Sequence, residues 1–188
     1  MHNLIIFASG KGSNAAAIIS YFQERPIAKV ALIVSNKANA GVLELAREAA
    51  IPTLLIDKTR FSGEEFLEQL ESYQPSLLVL AGFLWKIPDN IIQAFRNRIV
   101  NIHPALLPAY GGKGMYGQYV HEAVLAARER TSGITIHYVD EIYDNGDVIL
   151  QARCRVAEED SPFSLAERIH HLEHFWFPRT LEFLLSQQ

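Results

Sequence analysis

The sequence holds a single cysteine, Cys154, in 188 residues. One thiol cannot close an internal disulfide and cannot build a cysteine-rich zinc module. A reducing, cytoplasmic setting is therefore expected. Long apolar runs are also missing. The longest, Leu77 to Trp85, has about half the length of a membrane-spanning helix, so no membrane partner is expected. There is no surplus of basic charge: 17 Lys and Arg stand against 21 Asp and Glu, a net charge of −4. Nucleic-acid binders usually carry a basic stripe, so no nucleic-acid partner is expected. A small anionic ligand is still allowed, because a local site can be positive on an acidic protein. The opening residues, MHNLIIFASG, have no basic stretch before their short apolar run. They read as a first strand rather than a signal peptide.

What is present points to one globular domain over residues 1–188. Hydrophobic residues make up 49% and charged residues 20%, a mix that excludes a disordered chain. No repeat, low-complexity tract or Gly/Ser linker interrupts it. Apolar, β-rich runs at Leu4–Ala8, Val30–Ser35, Thr53–Ile56, Leu77–Ala81 and Ile99–His103 alternate with helical patterns. Those patterns cover Asn14–Gln23, Val42–Ala50, Ser62–Tyr73 and Pro88–Arg96. Ser62 with Glu65 reads as a capping box. Continuous apolar strands between helices predict a three-layer α/β fold around a mostly parallel, doubly wound sheet, Rossmann-like in plan. After His103 comes a Gly- and Pro-rich loop, then a helix over Gln118–Glu129. Strands Gly133–Val139 and Val148–Val156 should extend the sheet in antiparallel or mixed fashion. Ser164 should open a last helix, capped by Glu167 and kinked or broken at Pro178. Ligands of such sheets sit beyond the carboxyl ends of the strands. Ser9–Asn14, Ser35–Asn39, Gly82–Lys86, Asn101–Pro104 and residues 140–147 should therefore gather around one cleft.

Four motifs could carry chemistry. Ser9-Gly-Lys-Gly-Ser-Asn14 joins the first strand to the first helix, where free amides and the helix dipole suit a phosphate. It is not a Walker A loop. The position where a dinucleotide site wants an acid reads Ser35-Asn36-Lys37, which disfavours NAD. The alternative is a tight turn without a ligand. Asn101 and His103 lie two apart on a strand and so share a face. A carboxamide beside an imidazole can hold a developing oxyanion and move a proton. A strand-end histidine bonded to a nearby carbonyl is the plainer alternative.

The turn Asp140-Glu-Ile-Tyr-Asp-Asn-Gly-Asp147 is either a solvated acidic loop or the source of a carboxylate that orients a histidine. His170-His-Leu-Glu-His174 matches His-x-x-Glu-His, a zinc pattern, but no third ligand follows it. A helix edge that hydrogen-bonds a polar ligand is the preferred reading, and no metal is expected. Gly82–Ile87 reads as core or as the wall of a flat aromatic pocket. Gly111–Gly117 reads as a substrate loop or an irregular connection.

In order along the chain, these residues resemble the glycinamide ribonucleotide formyltransferases, a family of folate-dependent enzymes. The resemblance rests on Ser9-Gly10-x-Gly12-Ser13-Asn14, Ser35-Asn36-Lys37-Ala38, Leu80-Ala81-Gly82-Phe83 and Asn101-Ile102-His103-Pro104-x-Leu106-Leu107-Pro108. It continues through His137-x-Val139, Asp144-x-Gly146, Val148-Ile149-Leu150-Gln151 and Glu173-His174, and so covers nearly the whole chain. The His-Pro-x-Leu-Leu-Pro segment is common to several formyl-folate enzymes, and the Ser-Gly-x-Gly-Ser-Asn opening is more selective.

The resemblance implies a formyltransferase fold and formyl transfer from 10-formyltetrahydrofolate, the co-substrate, to glycinamide ribonucleotide in purine biosynthesis. It implies Asn101, His103 and Asp144 as catalytic residues, with His103 held protonated by Asp144. Gly12, Ser13 and Asn14 would cradle the substrate phosphate, Glu173 the ribose, and His170 a neighbouring position. Leu84, Trp85, Lys86 and Ile87, with Asp140, Glu141, Ile142, Tyr143 and Asp144, would hold the folate, Asn101 touching it as well. Residues 1–100 would form the phosphate-binding half and 101–188 the catalytic and folate-binding half, as a monomer or homodimer. Gly63 stands where many relatives place an arginine near the folate tail. The alternatives are a methionyl-tRNA formyltransferase-like or formyltetrahydrofolate hydrolase-like enzyme, or a non-catalytic nucleotide-binding module.

Overall fold

The computed structural model describes residues 1–187, so Gln188 lies outside it. Seven strands form one sheet: β1 (His2–Phe7), β2 (Ala28–Ser35), β3 (Thr53–Leu55), β4 (Leu77–Leu80), β5 (Ile99–His103), β6 (Thr131–Tyr138) and β7 (Val148–Arg155). Their spatial order is β3-β2-β1-β4-β5-β6-β7. The first five run parallel, β6 is antiparallel to β5, and β7 is antiparallel to β6, as the C-terminal pattern implied. The helices are α1 (Ser13–Glu24), α2 (Gly41–Glu48), α3 (Lys58–Phe61), α4 (Glu64–Ser72), α5 (Asp89–Ala94), α6 (Gln118–Ala126) and α7 (Pro162–Ser186). No described helix is long and apolar enough to cross a membrane.

The apolar strands are continuous because both faces of the sheet are covered. Along β1, Leu4 and Ile6 enter one core with α1, α2, α6 and α7. Ile5 and Phe7 enter the other, with Phe61, Phe66 and Leu70 from α3 and α4 and Ile91 and Ile92 from α5. Alternation along the strand thus feeds two cores instead of one core and solvent.

Several boundaries differ from the sequence reading. The helix expected over 62–73 is split, because Asp57 caps Arg60 N–H and closes the short α3 first. Ser62 turns to the Lys58 and Thr59 carbonyls, and Gly63 becomes the N-cap of α4, so there is no Ser62–Glu65 box. The last helix starts at Pro162 with a reciprocal Ser161–Ser164 box instead of a Ser164–Glu167 pair. Pro178 lies inside that helix without ending it. Thr180 Oγ1 donates to the Trp176 carbonyl beside it, and Phe177, Pro178 and Leu181 are buried. Tertiary packing outweighs the local cost of proline there.

The sheet order reverses at β1 and β4, which makes their carboxyl ends the natural crevice. Ser9 N–H donates to the Gly82 carbonyl, and Ser9 Oγ donates to Asn36 while accepting from Leu84 N–H. These bonds tie the loops after β1, β2 and β4 into one rim.

Candidate active site

A cleft of about 720 Å³ opens over this rim. Of the expected segments, Gly10–Asn14, Gly82–Ile87, Asn101–Pro104 and part of 140–147 line it. Ser35–Asn39 does not; Asn36 acts one layer back, through Ser9.

β5 delivers Asn101 and His103 to the cleft floor. Asn101 pairs directly across the sheet with His137 of β6, and His103 with Thr135. His103 is 3% exposed, and its Nε2–H donates to the Tyr110 carbonyl at 2.8 Å. That bond fixes the tautomer and leaves Nδ1 facing Asp144 Oδ2 at 3.6 Å. Asp144 sits at the turn after β6 with a left-handed backbone (φ 53°), which aspartate tolerates well. Its Oδ2 accepts from Gly112 N–H at 2.8 Å, so the glycine-rich loop is latched to the same carboxylate. A Cβ on Gly111 would stand 2.5 Å from Leu107 Cδ2 and 3.2 Å from Asp144 Cβ, so a larger residue there would have to displace Leu107 and crowd Asp144.

Burial and Asp144 act on His103 in opposite directions. Burial is the larger influence and lowers the His103 pKa below 6.5, while Asp144 and the Tyr110 bond only partly offset it. With Nε2–H spent on the Tyr110 carbonyl, Nδ1 and the Asp144 carboxylate face each other, so a proton on Nδ1 is held by that carboxylate.

His137 is the residue that sequence reasoning left without a role. It is 2% exposed, and its Nδ1–H donates to the Tyr138 carbonyl at 2.8 Å. Its Nε2 therefore accepts from Asn101 Nδ2 at 3.1 Å. Burial is the largest influence on its pKa and lowers it. The second Asn101 N–H has only a long contact, 3.5 Å, to Asp144 Oδ1, and is free to turn to a substrate oxygen. His137 stands among the residues that carry the resemblance, but its place opposite Asn101 is visible only once the β5–β6 register is known.

The turn after His103 is braced from β6 and β7. Thr135 Oγ1 donates to Ala105 O and accepts from Leu107 N–H, while Gln151 Nε2 donates to Leu107 O. The Leu107–Pro108 peptide is cis.

On the opposite side, α1 begins at Gly12 (φ 86°) with no side chain capping its first amides. Gly12, Ser13 and Asn14 line the cleft there, facing His170 and Glu173 of α7. Asn14 Nδ2 donates to Glu173 Oε2 at 2.9 Å. Glu173 is 6% exposed, and burial pushes its pKa up to about 7 despite that bond. His170 and His174 stack in parallel, 6.1 Å apart. Glu173 turns away from them toward Asn14, and among the described residues no three His, Cys, Asp or Glu groups converge as metal donors.

The third wall is Leu84, Trp85, Lys86 and Ile87 opposite Asp140, Ile142, Tyr143 and Asp144. Phe83 packs edge to face on both Phe61 and Trp85 there, and Phe61 meets Trp85 at a tilt. Glu141 departs from the expected set: it faces a separate polar pocket beside Arg96 and Asp147, outside the cleft.

Comparison with known proteins places this geometry. Residues 2–181 match the family described as formyl transferase. The phosphoribosylglycinamide formyltransferase of Bacillus subtilis is 37% identical over 99% of this chain and 96% of its own length. A chloroplastic enzyme of the same name from Arabidopsis thaliana is 44% identical over 91% of this chain, and the alignment spans 61% of that longer relative. A crystal structure of phosphoribosylglycinamide formyltransferase from Bacillus halodurans superposes with a TM-score of 0.88 at 36% identity, covering 98% of this chain and 95% of that one. The chain belongs to the formyl transferase family, among its phosphoribosylglycinamide formyltransferases.

Proposed function

We propose that the chain transfers a formyl group from 10-formyltetrahydrofolate to the amine of glycinamide ribonucleotide, giving formylglycinamide ribonucleotide and tetrahydrofolate in de novo purine biosynthesis. The observation that carries this reading is the convergence of Asn101, His103, His137 and Asp144 on one cleft, whose far end is the open N-terminus of α1. The matching relatives bear the name of that activity.

The residues present fit both small molecules. The amides of Ser13 and Asn14 and the dipole of α1 would take the phosphate, with Gly12 allowing close approach. Asn14, His170 and Glu173 would take the ribose side. Leu84–Ile87, with Asp140, Ile142, Tyr143 and Asp144, line a partly apolar part of the cleft that would take the pterin, with Asn101 beside it. Glu141 is left out of that set because its side chain faces elsewhere. When bound, the folate would supply the activated formyl group.

This chain's groups then have distinct tasks. The free Asn101 N–H donates to the formyl oxygen as it gains charge. As the amine attacks the formyl carbon and the bond from that carbon to the folate nitrogen breaks, His103 and Asp144 would pass the amine proton to the leaving nitrogen. Asp144, 3.6 Å away, stabilises the imidazolium once it forms. Holding both partners in one cleft supplies orientation.

The reading takes the chain as one formyltransferase domain working in the cytoplasm on small molecules, without nucleic acid, membrane or metal, as a monomer or homodimer. Both subsites draw on residues before and after position 100, so that division does not separate them. The test is turnover of 10-formyltetrahydrofolate followed spectroscopically with and without glycinamide ribonucleotide. Consumption must depend on the ribonucleotide; loss of formyl folate at the same rate without it would overturn the reading.

A further inference from the structure

We propose that His121 is a substrate-positioning residue that holds the glycinamide arm of the ribonucleotide, between the reacting amine and the ribose. This rests on the ribonucleotide reading above. His121 lies on α6, which packs against α7, and its ring lines the cleft. It is only 3% exposed. Its Nδ1 is fully enclosed with no hydrogen-bond partner, and no described group bonds its other nitrogen, which leaves Nε2 to face the cleft. Buried polar groups are almost always paired, because an unpaired one forfeits its hydration without return. An unpaired imidazole at a cleft wall is therefore a group whose partner is a ligand.

The surroundings narrow the partner. His103 at the end of β5 and His170 on α7 are the like charges that bear on His121. It thus stands within electrostatic reach of both the catalytic histidine and the ribose side. Burial, reinforced by those two histidines, lowers its pKa to about 4, so it is neutral in the working range. A neutral imidazole offers one N–H and one lone pair. That suits an amide, which presents both a C=O and an N–H, better than a phosphate, which calls for cations or amide clusters. The glycinamide arm carries such an amide between its amine and its ribose. Asn14, which also lines the cleft, has its Oδ1 likewise enclosed without a partner, so the ribose end also awaits a polar ligand.

The experiment compares the parent protein with H121L, H121Q and H121N. The KM for glycinamide ribonucleotide, kcat and formyl-folate affinity are measured, with the inhibition constant of ribose 5-phosphate, which lacks the arm. H121L should raise the ribonucleotide KM about tenfold, the cost of one lost hydrogen bond to a buried partner. Folate affinity and ribose 5-phosphate inhibition should stay within about twofold of the parent on the same basis. H121Q, whose amide nitrogen reaches the place of Nε2, should recover most of the loss. Should H121L not fold, H121N carries the same test, because its shorter amide cannot reach that place. An unchanged KM in a folded variant, or an equal loss of ribose 5-phosphate binding, overturns the assignment. Absence of ribonucleotide-dependent turnover in the parent would remove the function itself, and this role with it.

Discussion

Asn101 and His137 face each other across β5 and β6, and the direction of their hydrogen bond decides what Asn101 can do. Because His137 spends Nδ1–H on the Tyr138 carbonyl, its Nε2 can only accept, so the Asn101 carboxamide must present its N–H groups inward. Asn101→Ala should fold normally and slow turnover about 100- to 1000-fold, the usual cost of one oxyanion donor. His137→Leu should slow it less, by roughly 10- to 100-fold, and the double variant should be little worse than Asn101→Ala alone. Steady-state kinetics on all three would check this; full additivity would mean that His137 does not act through Asn101. Asp144 has a different task. Its charge raises a His103 pKa that burial depresses, so Asp144→Asn should shift the His103 titration to still lower pH in an NMR experiment. Turnover should fall about 100-fold or more with little change in substrate affinity, since the imidazolium loses its counter-charge. A His103 titration that stays in place, with full activity, would return Asp144 to a solvated loop.

At the scale of the element, α1 shows how one residue serves both stability and binding. Gly12 is its N-cap in a left-handed conformation, and an added Cβ would meet the Val42 side chain of α2 at 2.8 Å. Gly12→Ala should therefore cost about 1–2 kcal/mol in backbone strain, with the Val42 contact adding to it. A lower urea midpoint with unchanged slope would confirm that cost. An equal midpoint would show that the α1–α2 contact gives way freely. The element boundaries follow the same logic. Ser62 and Glu65 have the spacing of a capping box, yet Asp57 captures the Arg60 N–H first, and the chain forms α3 before α4. Pro178 reads as a helix breaker, yet its neighbours Phe177 and Leu181 are fully buried, and that burial keeps α7 continuous.

Across the whole molecule, residues far apart in the chain share one buried corner, and Glu173 is the sharpest case. Its pKa is raised from 4.5 to about 7 by burial. The folded protein therefore holds a proton that the unfolded chain releases between those values. Stability from this group is complete below about pH 4.5 and is lost as pH rises toward 7. The loss should be up to about 3 kcal/mol in the ligand-free protein. Urea denaturation at pH 5 and pH 8 should show it, and Glu173→Gln should flatten the difference; identical pH profiles would mean that Glu173 is ionised throughout. Much of this molecule was legible in the sequence. Apolar runs between amphipathic segments specify covered parallel strands, because hydrophobic period and burial are local consequences of residue type. The pair Asn101 and His103, the α1 loop, and the placing of 82–86 and part of 140–147 at one cleft were legible because each follows the end of a strand. The role of His137, the open nitrogen of His121, the outward turn of Glu141 and the burial that lowers the His103 pKa were not. Each depends on strand register, on which face of a helix packs inward, or on how much water is excluded. Those are properties of distant segments brought together, and only the tertiary structure decides them.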